Sequence, residues 1–271
     1  MITPSQALRQ AAEAAKGAYA EARAHHSRQE LAETVAMGAD GTPTMRIDEI
    51  VERAIVASLD GAPVNILSEE TGWLDNGHAA TLVVDPLDGS ANGAAGVPLT
   101  AFAGAVCLDG EFTESLTVWL DTGRSWSASA TEAPAYRTSG RTRLKGAAVS
   151  MLRPHPGKPS ADAWWAVAGQ AARVRILSTS CLEAALVAEG ATDAFLDAGT
   201  DTHRLVDLAA GVVMVTAAGG AVVDSYGRPL VFDTDLTRRW SGVVAASREL
   251  AAELAEVVRT AAPLVEGGST P

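Results

Sequence analysis

An apolar, β-branched run in the first third of the chain ends in two aspartates, Asp85 and Asp88, three positions apart. Pro86 stiffens the turn between them because its ring fixes φ, and Gly89 lets the backbone approach a ligand closely. Ser90 can then open a helix whose free N–H groups point at an anion. Carboxylates and N–H groups on one turn suit a divalent cation such as Mg²⁺ bound together with a phosphate. Asp-Pro and Asp-Gly are also common turn formers, so an ordinary turn is the alternative.

Two other segments offer acids of the same kind. Glu69 follows an apolar run, and Asp207 lies between Val206 and Leu208 at the start of an apolar helix. Glu69 alone could be a solvated loop acid, and Asp207 alone could be stabilised by the helix dipole. Buried acids are rare unless they are paired or bound to metal, however. Such a set of carboxylates could hold the metal ions that neutralise charge during phosphoryl transfer to water.

These segments resemble the motifs of the inositol monophosphatase and fructose-1,6-bisphosphatase superfamily, in order and in approximate spacing. The segments that carry the resemblance are Asp-Pro-Leu-Asp-Gly-Ser-Ala-Asn at 85–92, Leu-Ser-Glu-Glu-Thr-Gly at 67–72, Val-Asp-Leu-Ala-Ala-Gly at 206–211 with Ala-Gly-Gly at 218–220, and Met-Gly-Ala-Asp-Gly-Thr-Pro-Thr at 37–44 with Asp48 beyond. The last is similar to the archaeal-type branch, whose members often hydrolyse both inositol phosphates and fructose bisphosphate. The resemblance covers about 37–247 and implies a Mg²⁺-dependent, lithium-sensitive phosphomonoesterase.

The resemblance also implies which groups hold the metals. Glu69, Asp85 and the Leu87 carbonyl would hold a first Mg²⁺, and Asp85, Asp88 and Asp207 a second. A third, weaker site would share Glu69, which therefore also counts as a catalytic residue. Two or three ions per site are expected.

The attacking water and the phosphate have their own residues by the same resemblance. Asp48 and the hydroxyl of Ser90 would orient and deprotonate the water, with Ser90 standing where the family has Thr. The N–H groups of Gly89, Ser90 and Ala91 would hold phosphate oxygens. A mobile loop at 38–45 would bring Thr42 and Thr44 near the site. Asp48 could instead be only a helix-entry cap.

The substrate side departs from the family pattern. Inositol monophosphatases usually carry a Glu seven residues before the aspartate at 207, where this chain has Thr200, and a Trp where it has Val206. Met37 and Ala95 stand where relatives carry basic residues. Each change argues against myo-inositol phosphate or fructose bisphosphate as the substrate, although Asp201 could replace the missing acid.

Four basic residues remain near the expected pocket. Arg173 and Arg175 alternate on a predicted strand and so share a face, where they could clamp a second phosphate or form a solvated edge. Arg204 aligns with an Arg of the archaeal branch and is the stronger candidate for substrate binding. His203 could bind substrate or be a surface helix residue.

Bulk properties exclude some classes of partner. The net charge of −12 and the pI near 4.8 argue against a nucleic acid or an anionic membrane. Cys107 and Cys181 are expected to be buried free thiols. With no transmembrane stretch and no signal peptide, we expect a soluble cytoplasmic protein that binds a small phosphorylated substrate and, like its relatives, forms a homodimer.

Periodicity predicts a long first helix at 4–35, a loop at 37–44, a helix at 47–60, and then strands and helices in alternation. The predicted strands are 63–68, 81–85, 99–108, 114–120, 124–130, 146–151, 173–177, 193–197, 220–224 and 242–246. The later predicted helices are 160–171, 180–189, 204–217 and 248–260. The composition shift at 131–145 divides an N-terminal α+β half (1–135), with most metal ligands, from a C-terminal α/β half (136–271), both within one compact unit. Residues 266–271 are expected to be frayed.

These patterns alone give an α/β or α+β fold, and the resemblance implies a layered αβαβα sandwich. Several functions stay open at this point. Within the enzyme class, the alternatives to a sugar, polyol or inositol phosphatase are a 3′(2′),5′-bisphosphate nucleotidase, a histidinol-phosphate phosphatase or a secondary-metabolite phosphatase. Outside it stands a catalytically weak binding or regulatory protein on the same fold. The presence of all four acids and the hydroxyl favours an enzyme.

Overall fold

Helices and sheets alternate in five layers, and each helix layer covers the apolar face of a sheet. The computed structural model describes residues 2–263. The helices are α1 (Pro4–His25), α2 (Arg28–Leu31), α3 (Arg46–Ser58), α4 (Ser90–Ala95), α5 (Pro159–Ala168), α6 (Ser180–Ala188), α7 (Leu205–Ala217) and α8 (Arg248–Ala261). The order of layers is α1 and α3, the first sheet, α6 and α7, the second sheet, and α5 with α8. The αβαβα sandwich is thus confirmed.

Two large sheets and one hairpin hold the strands. The strands are β1 (Thr34–Met37), β2 (Pro43–Met45), β3 (Asn65–Ser68), β4 (Gly72–Leu74), β5 (Ala80–Asp88), β6 (Ala101–Leu108), β7 (Glu111–Trp119), β8 (Ser125–Ser129), β9 (Ala148–Met151), β10 (Arg173–Arg175), β11 (Ala194–Leu196), β12 (Ala221–Asp224) and β13 (Gly242–Ala245). The first sheet has the order β4-β3-β5-β6-β7-β8, and the second β10-β9-β11-β13-β12. Strands β3 and β5 are parallel, as are β10, β9 and β11.

The outer helices form where the sequence is amphipathic. Thr3 caps α1 by accepting from the Gln6 N–H at 3.2 Å, and Pro4 occupies the first turn. On α3 the residues Ile47, Val51 and Ile55 are fully buried against the first sheet. The opposite faces of these helices remain polar, as expected for a layer with solvent on one side.

The central helices differ because both of their sides are covered. The sequence of α7 is apolar almost throughout, and its residues pack between the two sheets. Successive side chains of β11 lie on opposite faces of the second sheet. Phe195 packs with α6 and α7, and Leu196 packs with α5 and α8. The apolar runs thus position the start of α7, where Asp207 lies, beside the first sheet.

The structure corrects two predicted elements. The helix predicted at 4–35 ends at His25, and Ser27 then caps the short helix α2 by accepting from the Glu30 N–H. The segment predicted as a loop at 37–44 is the turn of the β1–β2 hairpin. The run 5–35 has no Pro and only Gly17 as a helix breaker, which favours one long helix, but the cap at Ser27 stabilises a new start.

Strand β5 runs further than predicted, and its end is irregular. It continues through Pro86 to Asp88, with a break in register against β6 between Asp85 and Asp88. Such a bulge re-aims side chains and is common beside active sites.

The segment 131–145 lies between the last strand of the first sheet and the first strand of the second. The division into halves 1–135 and 136–271 stays a prediction, and residues 266–271 lie outside the described part. Among the described residues, no helix combines the length and the apolar character that a membrane span requires.

Candidate metal centre and active site

Three carboxylates from three separate elements meet between the sheets. Glu69 follows β3, Asp85 lies on β5 and Asp207 lies in the first turn of α7, and one oxygen of each lies within 4.8 Å of the others. Asp85 is 1% exposed and Asp207 is 5% exposed. The sequence-predicted ligands from three distant segments are therefore brought together.

This proximity shifts the acidity of the cluster. Burial, and then the charges of Glu69 and Asp88, raise the pKa of Asp85 well above its usual range. Burial also raises the pKa of Glu69 to about 8, although Arg204 opposes that shift. A cluster that resists full ionisation by itself is stabilised by a bound cation. The donors are carboxylate oxygens, which hard divalent cations such as Mg²⁺ prefer, so the residues fit a metal of that kind.

Arg204 supplies positive charge inside the cluster. Its Nε and Nη2 donate to the two oxygens of Asp207 at 3.1 and 2.8 Å, and its Nη1 donates to Asp40 at 2.8 Å and to Glu69. Burial raises the pKa of Asp207, but the bidentate Arg204 contact outweighs it and lowers that pKa below its usual value. The guanidinium therefore neutralises the carboxylates that a metal would bind.

Asp40 links the hairpin turn to this network. It is 2% exposed and accepts from both the N–H and the hydroxyl of Thr42 at 2.8 Å, as well as from Arg204. Arg239 reaches the Asp40 carbonyl at 2.9 Å from the opposite side of the site. The turn that carries Thr42 is thus held against the acidic cluster, and the expected mobility of the loop at 38–45 stays a prediction.

Asp88 has a second structural task. Its carboxylate accepts from the Thr179 hydroxyl at 2.6 Å and from the N–H groups of Ser180 and Cys181 at 3.1 and 2.7 Å. It therefore caps α6 from a distant part of the chain. With Asp85 and the Cys181 thiol, it forms another group whose ligand atoms lie within 4.8 Å of one another.

The turn after Asp88 requires glycine. Gly89 has φ 82°, and a Cβ there would lie 2.6 Å from the Leu99 carbonyl oxygen. The Ser90 hydroxyl donates to the Leu87 carbonyl at 3.0 Å. Ser90 and Ala91 are the first residues of α4, so their N–H groups have no partner within the helix, and their binding of phosphate stays a prediction.

Asp48 lies beside this turn on α3. It is 5% exposed and accepts from the Met45 N–H at 3.0 Å, so it does cap its own helix. Burial raises its pKa to about 6, and the Ser90 hydroxyl opposes that shift. That hydroxyl donates to the Leu87 carbonyl, so the predicted action of Asp48 and Ser90 on one water stays a prediction. Burial likewise raises the pKa of Glu70 to about 7, and the Thr44 hydroxyl donates to its carboxylate.

Comparison with known proteins identifies the family. The family model for the inositol monophosphatase family matches residues 3–262. The chain belongs to the inositol monophosphatase family.

Individual relatives agree with that assignment. The chain is 30% identical over 232 residues to a fructose-1,6-bisphosphatase/inositol-1-monophosphatase of Thermococcus kodakarensis, covering 84% of this chain and 87% of that protein. It is 29% identical over 239 residues to a bifunctional NADP phosphatase/NAD kinase of Methanococcus maripaludis, covering 77% of this chain and 42% of that protein. A crystal structure of an inositol monophosphatase–fructose 1,6-bisphosphatase superimposes with a TM-score of 0.83 at 26% identity, covering 94% and 100% of the two chains. The protein is thus a metal-dependent phosphoric monoester hydrolase.

The substrate side of this family member is less open than the sequence suggested. The Thr200 hydroxyl donates to Asp197 at 2.6 Å, and Asp201 accepts two bonds from Arg228 at 3.0 and 2.6 Å. Both residues therefore already use their polar atoms internally. His203 is 1% exposed, so it is not a surface residue, and its role in substrate binding stays a prediction.

The remaining predicted arginines lie on an edge strand. Arg173 is exposed on β10, and Arg175 is partly buried, with an Nη1 that has no partner among the described residues. Their role as a phosphate clamp stays a prediction. Cys107 and Cys181 are buried free thiols, as expected.

Sequence reasoning missed several residues that hold the site in this family member. These are Asp40, Glu52, Thr179 and Asp197. Glu52 accepts from the N–H groups of Glu70 and Thr71 at 3.2 and 3.1 Å and so fixes the turn after β3. Asp40 stood in a quoted motif, but its Asp-Gly pair is typical of an ordinary turn.

Proposed function

We propose that this enzyme hydrolyses a small phosphomonoester, of a sugar, a polyol or a nucleotide, with Mg²⁺ as its cofactor. The observation that carries the proposal is the meeting of Glu69, Asp85 and Asp207 within 4.8 Å, beside a glycine turn that exposes backbone N–H groups. An acidic cluster alone is common. Its position beside an anion-accepting turn is what phosphoryl transfer requires.

We assign the metal ligands as the sequence suggested. Glu69, Asp85 and the Leu87 carbonyl would hold one ion, and Asp85, Asp88 and Asp207 a second, with Glu69 shared by a weaker third. Bound Mg²⁺ supplies charge neutralisation and lowers the pKa of a bound water. Asp88 fits this role because its capping bonds hold the carboxylate in one orientation.

The protein groups around the metals have separate tasks. Asp48, whose pKa burial raises to about 6, takes the proton of the attacking water, and the Ser90 hydroxyl orients that water. The N–H groups of Gly89, Ser90 and Ala91 bind the phosphate oxygens. Arg204 contributes a fixed positive charge and keeps the hairpin turn in place through Asp40.

We also propose that myo-inositol 1-phosphate is a poor substrate. A carboxylate that accepts from ring hydroxyls forms charge-assisted bonds, each worth roughly 1.5–3 kcal/mol. Thr200 offers only a hydroxyl, which already donates to Asp197, and Asp201 is engaged by Arg228. A loss on the order of tenfold to a hundredfold in kcat/KM follows.

The homodimer and the cytoplasmic location stay proposals by family analogy. The edge strand β10 ends next to Ile176, which is 45% exposed, and carries Val174, which is 37% exposed. An apolar sheet edge of this kind is typical of a contact surface. Light scattering on the purified protein would measure the dimer directly.

The test of the function is a phosphate-release screen over sugar phosphates, inositol phosphates and nucleotides, with Mg²⁺ and with a chelator. We expect turnover of at least one phosphomonoester with Mg²⁺, none with the chelator, and none from Asp207→Asn. The matched control is Asp60→Asn, an exposed aspartate remote from the cluster in sequence, which should keep full activity. Equal phosphate release by Asp207→Asn and wild type would refute the metal assignment, and stoichiometric ligand binding without turnover would favour the binding-protein alternative.

A further inference from the structure

Two adjacent parallel strands of the second sheet send the chain to opposite faces. After β9 the chain enters α5, which packs with α8 on the outer face, and after β11 it enters α7 on the inner face. Because β9 and β11 are parallel, their carboxyl ends lie at the same sheet edge. Loops that diverge from such a pair leave a crevice between them, and α/β proteins commonly bind ligands in crevices of this kind.

A cavity of about 290 Å³ lies at this point. It is lined by His155 and residues 158–160 after β9, by Gly199, Thr200 and Thr202 after β11, and by Tyr226, Ala262 and Pro263. The described residues of this lining include no Asp or Glu, although Asp197 accepts hydrogen bonds from both threonines. The side chains left to donate to a ligand are His155, Lys158 and Ser160, because the hydroxyls of the threonines and of Tyr226 already form hydrogen bonds within the protein. None of them belongs to the acidic cluster.

The N-terminus of α5 opens into this cavity. The helix has ten residues and no side-chain cap. Pro159 at its start has no N–H, and the Ala161 N–H donates to the Lys158 carbonyl at 2.9 Å, so the Ser160 N–H is the first-turn donor that remains for a ligand. Asp162 in its first turn is exposed and does not line the cavity. A helix end of this kind, next to the Lys158 ammonium, favours an anion.

Ser160 gives independent support for a ligand. It lines the cavity, is 4% exposed, and its hydroxyl oxygen has no hydrogen-bond partner among the described residues. A buried hydroxyl without a partner costs free energy. A bound oxyanion beside the helix end would accept from it.

We propose that this crevice binds one oxyanion of the phosphate or sulfate type. Lys158 supplies charge, and the hydroxyl and N–H of Ser160, together with a ring nitrogen of His155, supply directed donors. The oxyanion is either a free anion or a second anionic group of the substrate. The second case rests on the proposed function, and the first does not. The site would then favour substrates with two anionic groups.

The direct test titrates chelator-treated protein into inorganic phosphate and measures the width of the ³¹P resonance as the readout of binding. Without metal, the acidic cluster repels phosphate, so this experiment does not depend on catalysis. We expect saturable broadening with wild type, affinity weakened about tenfold in Lys158→Ala, and a loss of about threefold or more in Ser160→Ala. Lys145→Ala, which removes an exposed lysine outside the cavity, should match wild type.

A second measurement identifies the source of the anion. With Mg²⁺, KM for fructose 1,6-bisphosphate is compared with KM for p-nitrophenyl phosphate in wild type and Lys158→Ala. A selective rise for the bisphosphate assigns the crevice to the second phosphate of a substrate, and unchanged ratios with weakened phosphate binding assign it to a free anion. The proposal is overturned when phosphate binding is the same in wild type, Lys158→Ala and Ser160→Ala. Ser160→Ala changes only one atom, so it remains informative where Lys158→Ala fails to fold.

Discussion

Replacing Arg204 with Gln should destabilise the metal-free protein, because the acidic cluster would lose the cation that balances its negative charge. In the metal-free protein the guanidinium donates to Asp207, Glu69 and Asp40, and its side chain is 16% exposed. Gln keeps a planar polar group but removes the charge and shortens the side chain. Among the described residues, Glu69, Asp85 and Asp207 then face one another with no cation in direct contact, and Asp40 keeps Arg239 at 3.5 Å.

The expected magnitude follows from the cost of breaking a buried ion pair, about 3–5 kcal/mol. An unfolding entropy of about 2.1 cal/mol/K per residue gives about 0.57 kcal/mol per kelvin for this chain. The metal-free variant should therefore lose about 5–9 °C in Tm. The carboxylates can take up protons instead of remaining charged, so the loss should be larger at pH 8 than at pH 6.

The same contact predicts competition with metal. In wild type Mg²⁺ shares Glu69 and Asp207 with the positively charged Arg204, so its binding stabilises the fold by less than in the variant. Differential scanning fluorimetry with and without Mg²⁺ should show a larger Tm increase in Arg204→Gln. The control is Arg53→Gln, which removes an exposed arginine on α3. If the metal-free Arg204→Gln protein melts within about 2 °C of Arg53→Gln and gains no more from Mg²⁺, the guanidinium does not balance the cluster.

Three further outcomes are expected. Asp88→Asn should abolish phosphate release because a ligand charge is lost, and circular dichroism should show the fold retained; near-wild-type turnover at saturating Mg²⁺ would contradict its assignment. Millimolar Li⁺ should inhibit by replacing the second Mg²⁺, and a lithium titration at limiting Mg²⁺ that leaves the rate unchanged would count against this mechanism. Burial raises the pKa of Glu183 from 4.5 to about 8, so the folded state binds a proton that the unfolded state has released between these values. Stability should therefore fall as the pH rises from about 5 to 8, by up to about 1.4 kcal/mol per pH unit, and chemical denaturation of Glu183→Gln should show a shallower slope.

Local pattern was sufficient where a residue's neighbours in sequence determine its surroundings. The spacing of Ile47, Val51 and Ile55 predicted which face of α3 is buried, and the apolar run around Asp207 predicted a buried acid at a helix start. The motif at 85–92 predicted the glycine turn and the helix at Ser90 because both depend on adjacent residues.

Contacts between distant segments were not predictable in this way. Arg204 and Asp40 are 164 residues apart, and Asp88 caps α6 through residues 91 to 93 positions later. No periodicity in either segment records such a pairing, since each becomes close only after the layers stack. For the same reason His203 seemed available at the start of α7, whereas its Nδ1 accepts from the Gly242 N–H of β13.

In the loop before α7, Thr200 departs from the family pattern, although the acids that would bind metal are kept. Asp197 accepts from the N–H groups of Thr200 and Thr202 at 2.7 and 2.8 Å, and Asp201 is held at φ 51° while Arg228 pairs with it. A non-glycine residue in the left-handed region costs about 1–2 kcal/mol. The hydrogen bonds of the loop must therefore offset that cost and stabilise this conformation. Because the polar atoms of this loop bond to its own acids, few of them are left to bind the hydroxyls of a sugar ring. Discrimination between substrates must then come from other groups, such as Lys158, which lines the crevice together with Thr200 and Thr202 of this loop.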